Sequence, residues 1–277
     1  MKKIILLSFI LFTVTLTLTA RVIKVDINGS GQFSSISAAL NAAVAGDTIK
    51  VLPGSYFEQV TINKNVVVMG SGYETTIING NFNPTIVMSI GKILWFQISS
   101  TNGNGINLSG GIVSNCVISG CAGNGIYLDK GNASIINCVL IKNGLSGARM
   151  SSNGNLTITN TIARNNGNSG YVSEANCYLG PILTISFCDG SVNCANGNQG
   201  CFDQDPLFVS NTDLHISQGS PCWDKGNPSL FDPDGSSSDI GYFGGPDCPI
   251  YPVVKSITLI PQPDGSVKIQ ATGVANY

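Results

Sequence analysis

An all-β solenoid is the fold class this sequence predicts, on three observations. Three stretches nearly repeat one another: Gly105-Ile106-Asn107-Leu108, Gly125-Ile126-Tyr127-Leu128 and Gly147-Ala148-Arg149-Met150. Each is followed, after a polar break, by an apolar segment carrying Asn and then Cys or Thr: Asn115-Cys116-Val117, Asn137-Cys138-Val139 and Asn160-Thr161-Ile162. The Asn residues lie 22 and 23 positions apart, and self-similarity at such a period marks a solenoid. A short apolar strand cannot bury its own face, so copies must stack and share one core. Segments rich in Val and Ile and punctuated by Gly and Asn favour β over α coils.

The ends of the chain obey other rules. Lys2-Lys3 precede an apolar run from Ile4 to Leu18 that ends near Thr19-Ala20. The run is short of the ~20 apolar residues a membrane span needs, so residues 1–20 are expected to be a cleaved secretory signal peptide. Localisation is then secreted or at the cell surface. Charged residues make up only 11% of the chain and the net charge is −2, which offers no footprint for nucleic acid or an anionic membrane. The expected protein is a monomer, with no membrane contact after signal cleavage.

Next, Ser34-Ser35 precede Ile36, Ala39, Leu40 and Ala43, with Gly46-Asp47 beyond. Apolar residues at i, i+3, i+4 and i+7 behind a Ser cap and before a Gly describe a short amphipathic helix. Laid across the first coil, it would cover the core that a solenoid exposes at its end. Strands are expected at Thr48 to Leu52, Val60 to Ile62 and Val66 to Val68, with a turn at Pro53-Gly54.

At this point a resemblance becomes specific. Gly31-Gln32-Phe33-Ser34-Ser35-Ile36, Gly46-Asp47-Thr48-Ile49, Pro53-Gly54-Ser55-Tyr56-Phe57-Glu58 and Val66 to Gly70 are similar to the opening of right-handed parallel β-helix proteins. These form the pectin-lyase-like superfamily, and pectin methylesterases share this opening especially closely. The closing run resembles secreted bacterial members: Asp205-Pro206-Leu207-Phe208, Leu214-His215-Ile216, Gly219-Ser220-Pro221, Asp224-Lys225-Gly226 and Asp239-Ile240-Gly241-Tyr242-Phe243-Gly244-Gly245. The resemblance implies a right-handed parallel β-helix over residues 21–247. It would consist of a cap at 21–56, three-strand coils of about 22 residues over roughly 57–192, and a closing segment at 193–247. It also implies that Gly-Ile-x-Leu is the first strand of each coil. Asn115, Asn137 and Asn160 would then form a ladder at the second turn, with Phe187 in the same column. Past Pro249, residues 248–277 read as a β-hairpin (Val253 to Leu259, Pro263-Asp264-Gly265, Val267 to Gln270): a tail, or the start of a truncated β-sandwich.

Alternation along the first strand points Ile106, Leu108, Ile126, Leu128, Ala148 and Met150 inward. Asn107, Tyr127, Arg149 and Val172 then form one outward column. Aromatic rings cover the apolar face of a pyranose while polar neighbours hold its hydroxyls. With Asp129-Lys130 beside the column and Glu174 and Tyr178 from an insertion at Ser173 to Pro181, these residues are the expected sugar-binding set. The bland reading of Tyr127 is strand propensity, and of Tyr178 packing within its loop.

Catalysis finds less support. The Gly-Tyr-Gln-Asp-Thr-Leu and Asp-Phe-Ile-Phe-Gly runs of pectin methylesterases are missing between Ile86 and Asp189. Polygalacturonases need paired carboxylates, whereas Asp129, Glu174 and Asp189 are scattered. A lyase needs only a base and a cation at the uronate carboxylate, which leaves Arg149 as the catalytic candidate against its reading as a solvated residue on a sheet face. The expected function is therefore an exported β-helix that engages polysaccharide or a cell-surface glycan, without a recognised catalytic motif. Its competitors are an atypical polysaccharide lyase acting on uronate glycans and an adhesin-like stalk.

No cofactor is required by this reading. Calcium is a structural option at Asp232, Asp234 and Asp239, where Asp232-Pro233-Asp234-Gly235 resembles the start of a calcium loop without its terminal Glu. His215 reads as structural, and neither a CxxC pair nor a His cluster suggests zinc. Nine Cys in an exported chain invite disulfides. Cys222–Cys248, Cys194–Cys201 and Cys177–Cys188 are the candidate pairs. Cys116 and Cys138, about 4.8 Å apart in adjacent coils, are expected to be a packed thiol column.

Overall fold

The computed structural model describes residues 19–168, 170–173, 183–193, 198–249, 251–262 and 266–276. Residues 1–18 of the expected signal peptide, Glu174, Cys177, Tyr178, Cys194 and residues 263–265 lie outside the described residues.

The chain winds as a parallel β-solenoid of three sheets. The first sheet stacks Val60–Ile62, Ile86–Met88, the leading halves of Ile106–Ser114, Ile126–Ile136 and Ala148–Thr159, then Tyr171–Ser173 and Val192–Asn193. The second stacks Val22–Val25, Thr48–Val51, Val67–Met69, Lys92–Leu94, the trailing halves of the same three long strands, Leu183–Ser186 and Asn198–Gln199. The third stacks Gly54–Phe57, Thr76–Asn79, Gln97–Ile98, Val117–Ser119, Val139–Ile141 and Ile162–Arg164. Two details differ from expectation. In the central coils the first and second strands are fused into bent strands of 9, 11 and 12 residues, with register shifts at the bends after Leu108 and Leu128. Gly131 sits at one bend with φ 79°, and a Cβ there would lie 2.2 Å from the Ser109 carbonyl oxygen. Gly54, read as part of a turn, instead opens a third-sheet strand that buries Tyr56.

Inside, Ile, Val, Leu and Met from every coil form one continuous core. Cys116, Cys138, Thr161 and Cys188 follow one another in the rung preceding the third strand, so the thiol column is present as expected. Burial pushes the Cys116 thiol up to about 12.

The helix spans Ile36–Ala42, with the Ser35 hydroxyl accepting from Ala38 N. It buries Ile36, Ala39 and Leu40 in the same core as Val25, Ile49 and Ile62. Glu58 accepts from the N–H groups of Ile36 and Ser37, both at 2.8 Å. Lys64 Nζ donates to the carbonyls of Leu40, Asn41 and Ala43 at 2.8–2.9 Å. Both sets of orphan groups at the helix ends are thereby satisfied. Below the helix, Asp47 is fully buried and pairs with Arg21 at 2.7 Å. It also accepts from Arg21 N and Val44 N, and these contacts, led by the Arg21 hydrogen bond, hold its carboxyl well below the usual range.

The turn after the second strand uses left-handed backbone in every central coil: Trp95, Asn115, Asn137, Asn160 and Phe187 have φ between 43° and 70°. Asn tolerates that region best among residues other than Gly. Phe187 sits in this column as expected. The side chains do not chiefly bond one another, however. Only Asn160 reaches Asn137, at 3.5 Å.

Their partners come from the closing segment, which does not sit over the end of the solenoid. It runs back along the flank as a strap. Asn160 bonds the Ser238 hydroxyl and Asn227 N, and Asn137 donates to the Asp239 and Gly241 carbonyls. Asn115 donates to the Tyr242 and Gly244 carbonyls at 2.7 and 2.8 Å, and Trp95 Nε1 donates to the Asp247 carbonyl at 2.7 Å. Lys92 completes the latch by pairing with Asp247 at 2.5 Å. Strap and ladder touch so closely that a Cβ on Gly244 would lie 2.7 Å from Asn137 Nδ2. Beneath the strap lies a second apolar cluster in which Tyr73, Val117, Val139, Ile141 and Ile162 meet Leu214, Ile240, Tyr242 and Phe243. The Tyr242 hydroxyl accepts from Tyr73 N, and the Tyr73 hydroxyl accepts from Leu214 N.

Tyr251–Pro261 and Val267–Asn276 pair antiparallel as the expected hairpin.

Candidate functional site

On the first sheet, outward and inward positions separate cleanly. Ile106, Leu108, Ile126, Leu128, Ala148 and Met150 are buried, while Asn107, Tyr127 and Arg149 are half-buried between them. Parallel register places Val87, Asn107, Tyr127, Arg149 and Val172 on successive rungs. Asn107 is oriented by Asn104, whose side-chain amide donates to its Oδ1 at 2.9 Å.

Where the strands bend, Asp129 and Lys130 project beside the column. The Ser151 hydroxyl donates to the Asp129 carbonyl and ties that bend to the next coil. Val87, Asn107, Leu108, Ser109, Tyr127, Asp129 and Lys130 together line an open depression of about 280 Å³. Four of the seven expected sugar-binding residues therefore meet in one place, and Arg149 follows Tyr127 on the next rung. The depression holds an aromatic ring, a carboxamide, a hydroxyl, one cation and one carboxylate. That inventory can stack on and hydrogen-bond a hydroxylated ring. It does not supply two facing carboxylates.

The Asp-rich turn is held by its own backbone and side chains. Asp232 is buried and accepts from Gly245 N at 2.5 Å and from Asp239 N at 3.1 Å. Asp239 accepts from Asp224 N, and Asp234 bonds the amide and hydroxyl of Ser236. Burial pushes Asp232 up to about 6 and Asp239 up to about 7, while Ser236 holds Asp234 low. Among the described residues, Asp232, Asp234 and Asp239 do not bring three ligand oxygens within 4.8 Å of one another. Their oxygens accept hydrogen bonds from the local chain.

Cys222 and Cys248 are both buried free thiols, correcting the expected staple. Each packs in the second apolar cluster as a small hydrophobe, and burial pushes the Cys248 thiol up to about 12. Cys201 is also a free thiol.

A larger cavity of about 450 Å³ lies between strap and coils, lined by Lys142, Arg164, Asp205, Phe208 and Asn211 among others. Arg164 there pairs with Asp203 and lies 3.7 Å from buried Asp189, whose carboxyl burial pushes up to about 6. Lys142 and Arg164 reach this cavity from adjacent coils. Their common wall depends on a segment 40 or more positions later.

Comparison with known proteins agrees with this architecture. The family model described as a right-handed β-helix region matches residues 93–212. Among solved structures, pectate lyase Pel9A is 15% identical, covering 82% of this chain and 97% of its own, with a TM-score of 0.45. Pectin methylesterase from carrot is 16% identical, covering 68% and 78%, with a TM-score of 0.38. Pectin methylesterase PemA from Erwinia chrysanthemi is 12% identical, covering 74% and 76%, with a TM-score of 0.34. The protein is a right-handed parallel β-helix with one short capping helix.

Proposed function

We propose that this protein is exported through residues 1–20 and binds polysaccharide along the outward column of its first sheet. The observation that carries this reading is the depression in which Asn107, Tyr127, Asp129 and Lys130 meet, with Arg149 on the adjoining rung. Tyr127 would stack on a sugar ring while Asn107 and Ser109 hold hydroxyls, and Lys130 and Arg149 would favour a uronate. Solenoid stacking repeats the geometry at the rung spacing, which suits an extended chain over a compact ligand. The reading calls for no cofactor.

A second reading makes the protein a lyase, with Arg149 abstracting the proton beside a uronate carboxylate. What favours it is the position of Arg149, half-buried on the outward face beside the depression. One experiment separates the two. Pectin, alginate and glycosaminoglycans are titrated against the wild type, Tyr127→Ala and Arg149→Ala, and polymer length is measured before and after. Retention of full-length polymer that weakens in both variants supports binding. Shortened chains with unsaturated ends, lost in Arg149→Ala, establish the lyase. Absence of binding and cleavage throughout the panel refutes both.

A further inference from the structure

Away from the first sheet, the strap brings the chain's single histidine to the flank of an early coil. His215 follows Asp213 by two positions, and both reach Glu74, which lies 139 positions before Asp213 in the loop leading into Thr76–Asn79. One ligand atom from each of the three lies within 4.8 Å of the other two. His215 Nδ1 is 2.6 Å from Asp213 Oδ1. The ring is also stacked on Phe243, with centroids 3.6 Å apart and planes 18° from parallel. Its orientation is therefore fixed from two sides before any ligand arrives. Among the described residues, neither Glu74 nor Asp213 forms an ion pair with Lys or Arg. Two carboxylates thus converge on one imidazole without a basic side chain between them.

We propose that Glu74, Asp213 and His215 form a binding site for a divalent transition-metal ion of the zinc class. One imidazole nitrogen with two carboxylate oxygens suits such an ion better than calcium, which takes six to eight oxygens. Bonds of about 2.0–2.1 Å in a tetrahedral site set ligand atoms about 3.3 Å apart. Ligand atoms that now stand up to 4.8 Å apart must therefore close by up to about 1.5 Å, which Glu74, on an exposed loop, can do by rotation, while the 2.6 Å contact between Asp213 and His215 must open. Where the contact with Asp213 is a hydrogen bond from the neutral ring, Nδ1 carries the proton; a metal ion at Nδ1 takes that proton's place and the proton moves to Nε2, which keeps the imidazole neutral. Water completes the coordination shell. Because Glu74 belongs to a coil and the other two ligands to the strap, the ion would pin strap to coil.

The test is calorimetric titration of zinc chloride into the EDTA-stripped, dialysed protein, repeated with Glu74→Gln, His215→Gln and Cys201→Ser. The expected result is one saturable site per chain, unchanged in Cys201→Ser and weakened at least about tenfold in each of the other two. Zinc should also raise the melting temperature of the wild type and leave that of Glu74→Gln unmoved. Glu74 is exposed, so that variant keeps the test decisive should His215→Gln fail to fold. Absence of saturable binding overturns the proposal, as does binding that persists in Glu74→Gln, which would mark an ion held elsewhere.

Discussion

The first and third sheets wind around the same core, yet their outer faces have opposite fates. Along the first sheet the outward residues are Asn107, Tyr127 and Arg149, and they stay half in water. Along the third they are Val117, Val139, Ile141 and Ile162, and the strap covers them. Each of those four contributes about 1.5–3 kcal/mol when taken out of water, which is reason enough for the strap to lie there. The difference also locates function: the third face is occupied by the protein itself, and the first is available to something else.

The sharpest way to break this contrast is to remove the strap's anchor. Tyr242 is fully buried and its hydroxyl accepts from Tyr73 N. Tyr242→Ala should cost about 3–5 kcal/mol, the range for large aromatic truncations. Urea denaturation should register the loss, and limited proteolysis should then cut within the strap while sparing the coils.

A smaller loss is expected from Asn137→Ala, which leaves the Asp239 and Gly241 carbonyls without their donor and places Ala at φ 49°. About 1–3 kcal/mol is the cost of such unsatisfied buried groups. Asn137→Gly relieves the backbone part alone, so a difference between the two variants in the same denaturation assay isolates each contribution.

Acidity separates the two ends of the molecule by sign. Asp232 and Asp239, raised to about 6 and 7, bind protons in the folded state that the unfolded chain does not bind between about pH 4 and 7. Strap stability should therefore rise as pH falls from 8 to 5. Asp47 is shifted the other way; its contribution is present above the unfolded carboxylate value of about 4 and is lost as pH falls further. Melting temperatures measured from pH 3 to 8 should pass through a maximum near about pH 5. A monotonic fall from pH 8 downward would contradict the strap assignment.

The smallest effect on stability belongs to the open face. Tyr127→Ala and Arg149→Ala should each shift stability by under about 1 kcal/mol, measured by thermal melting, even as they weaken glycan retention.

The open face was legible in the sequence because Ile106, Asn107 and Leu108 alternate with the period of a strand, and one residue type at each rung suffices to assign its side. The column of Asn115, Asn137 and Asn160 was legible as a turn for a similar reason: the left-handed backbone there is a local demand. What those side chains bond was not, since their partners come about 70 to 130 positions later. Val139-Leu140-Ile141 did carry a signal that went unread. Three apolar residues in succession on one strand describe burial on both faces, which calls for a cover without naming it. The helix was legible from Ser35 and its apolar spacing, whereas Lys64 closing its far end was not. The candidate metal site lies at the same limit: Glu74 and His215 become neighbours only through the path of the strap.

The latch at Asp247 gives the strap a meaning for the order of events during synthesis. Coils of a solenoid depend on immediate neighbours, so they can form as each one is made. The strap runs in the opposite sense, from Asn160 to Trp95, and its last contact is with the coil of Lys92 and Trp95, the fourth rung of the second sheet. Until the chain has been made as far as Asp247, Val117, Val139, Ile141 and Ile162 face solvent as a continuous apolar stripe. A nascent chain halted before that point is expected to self-associate through that stripe, whereas one released just beyond it can close over the stripe unaided.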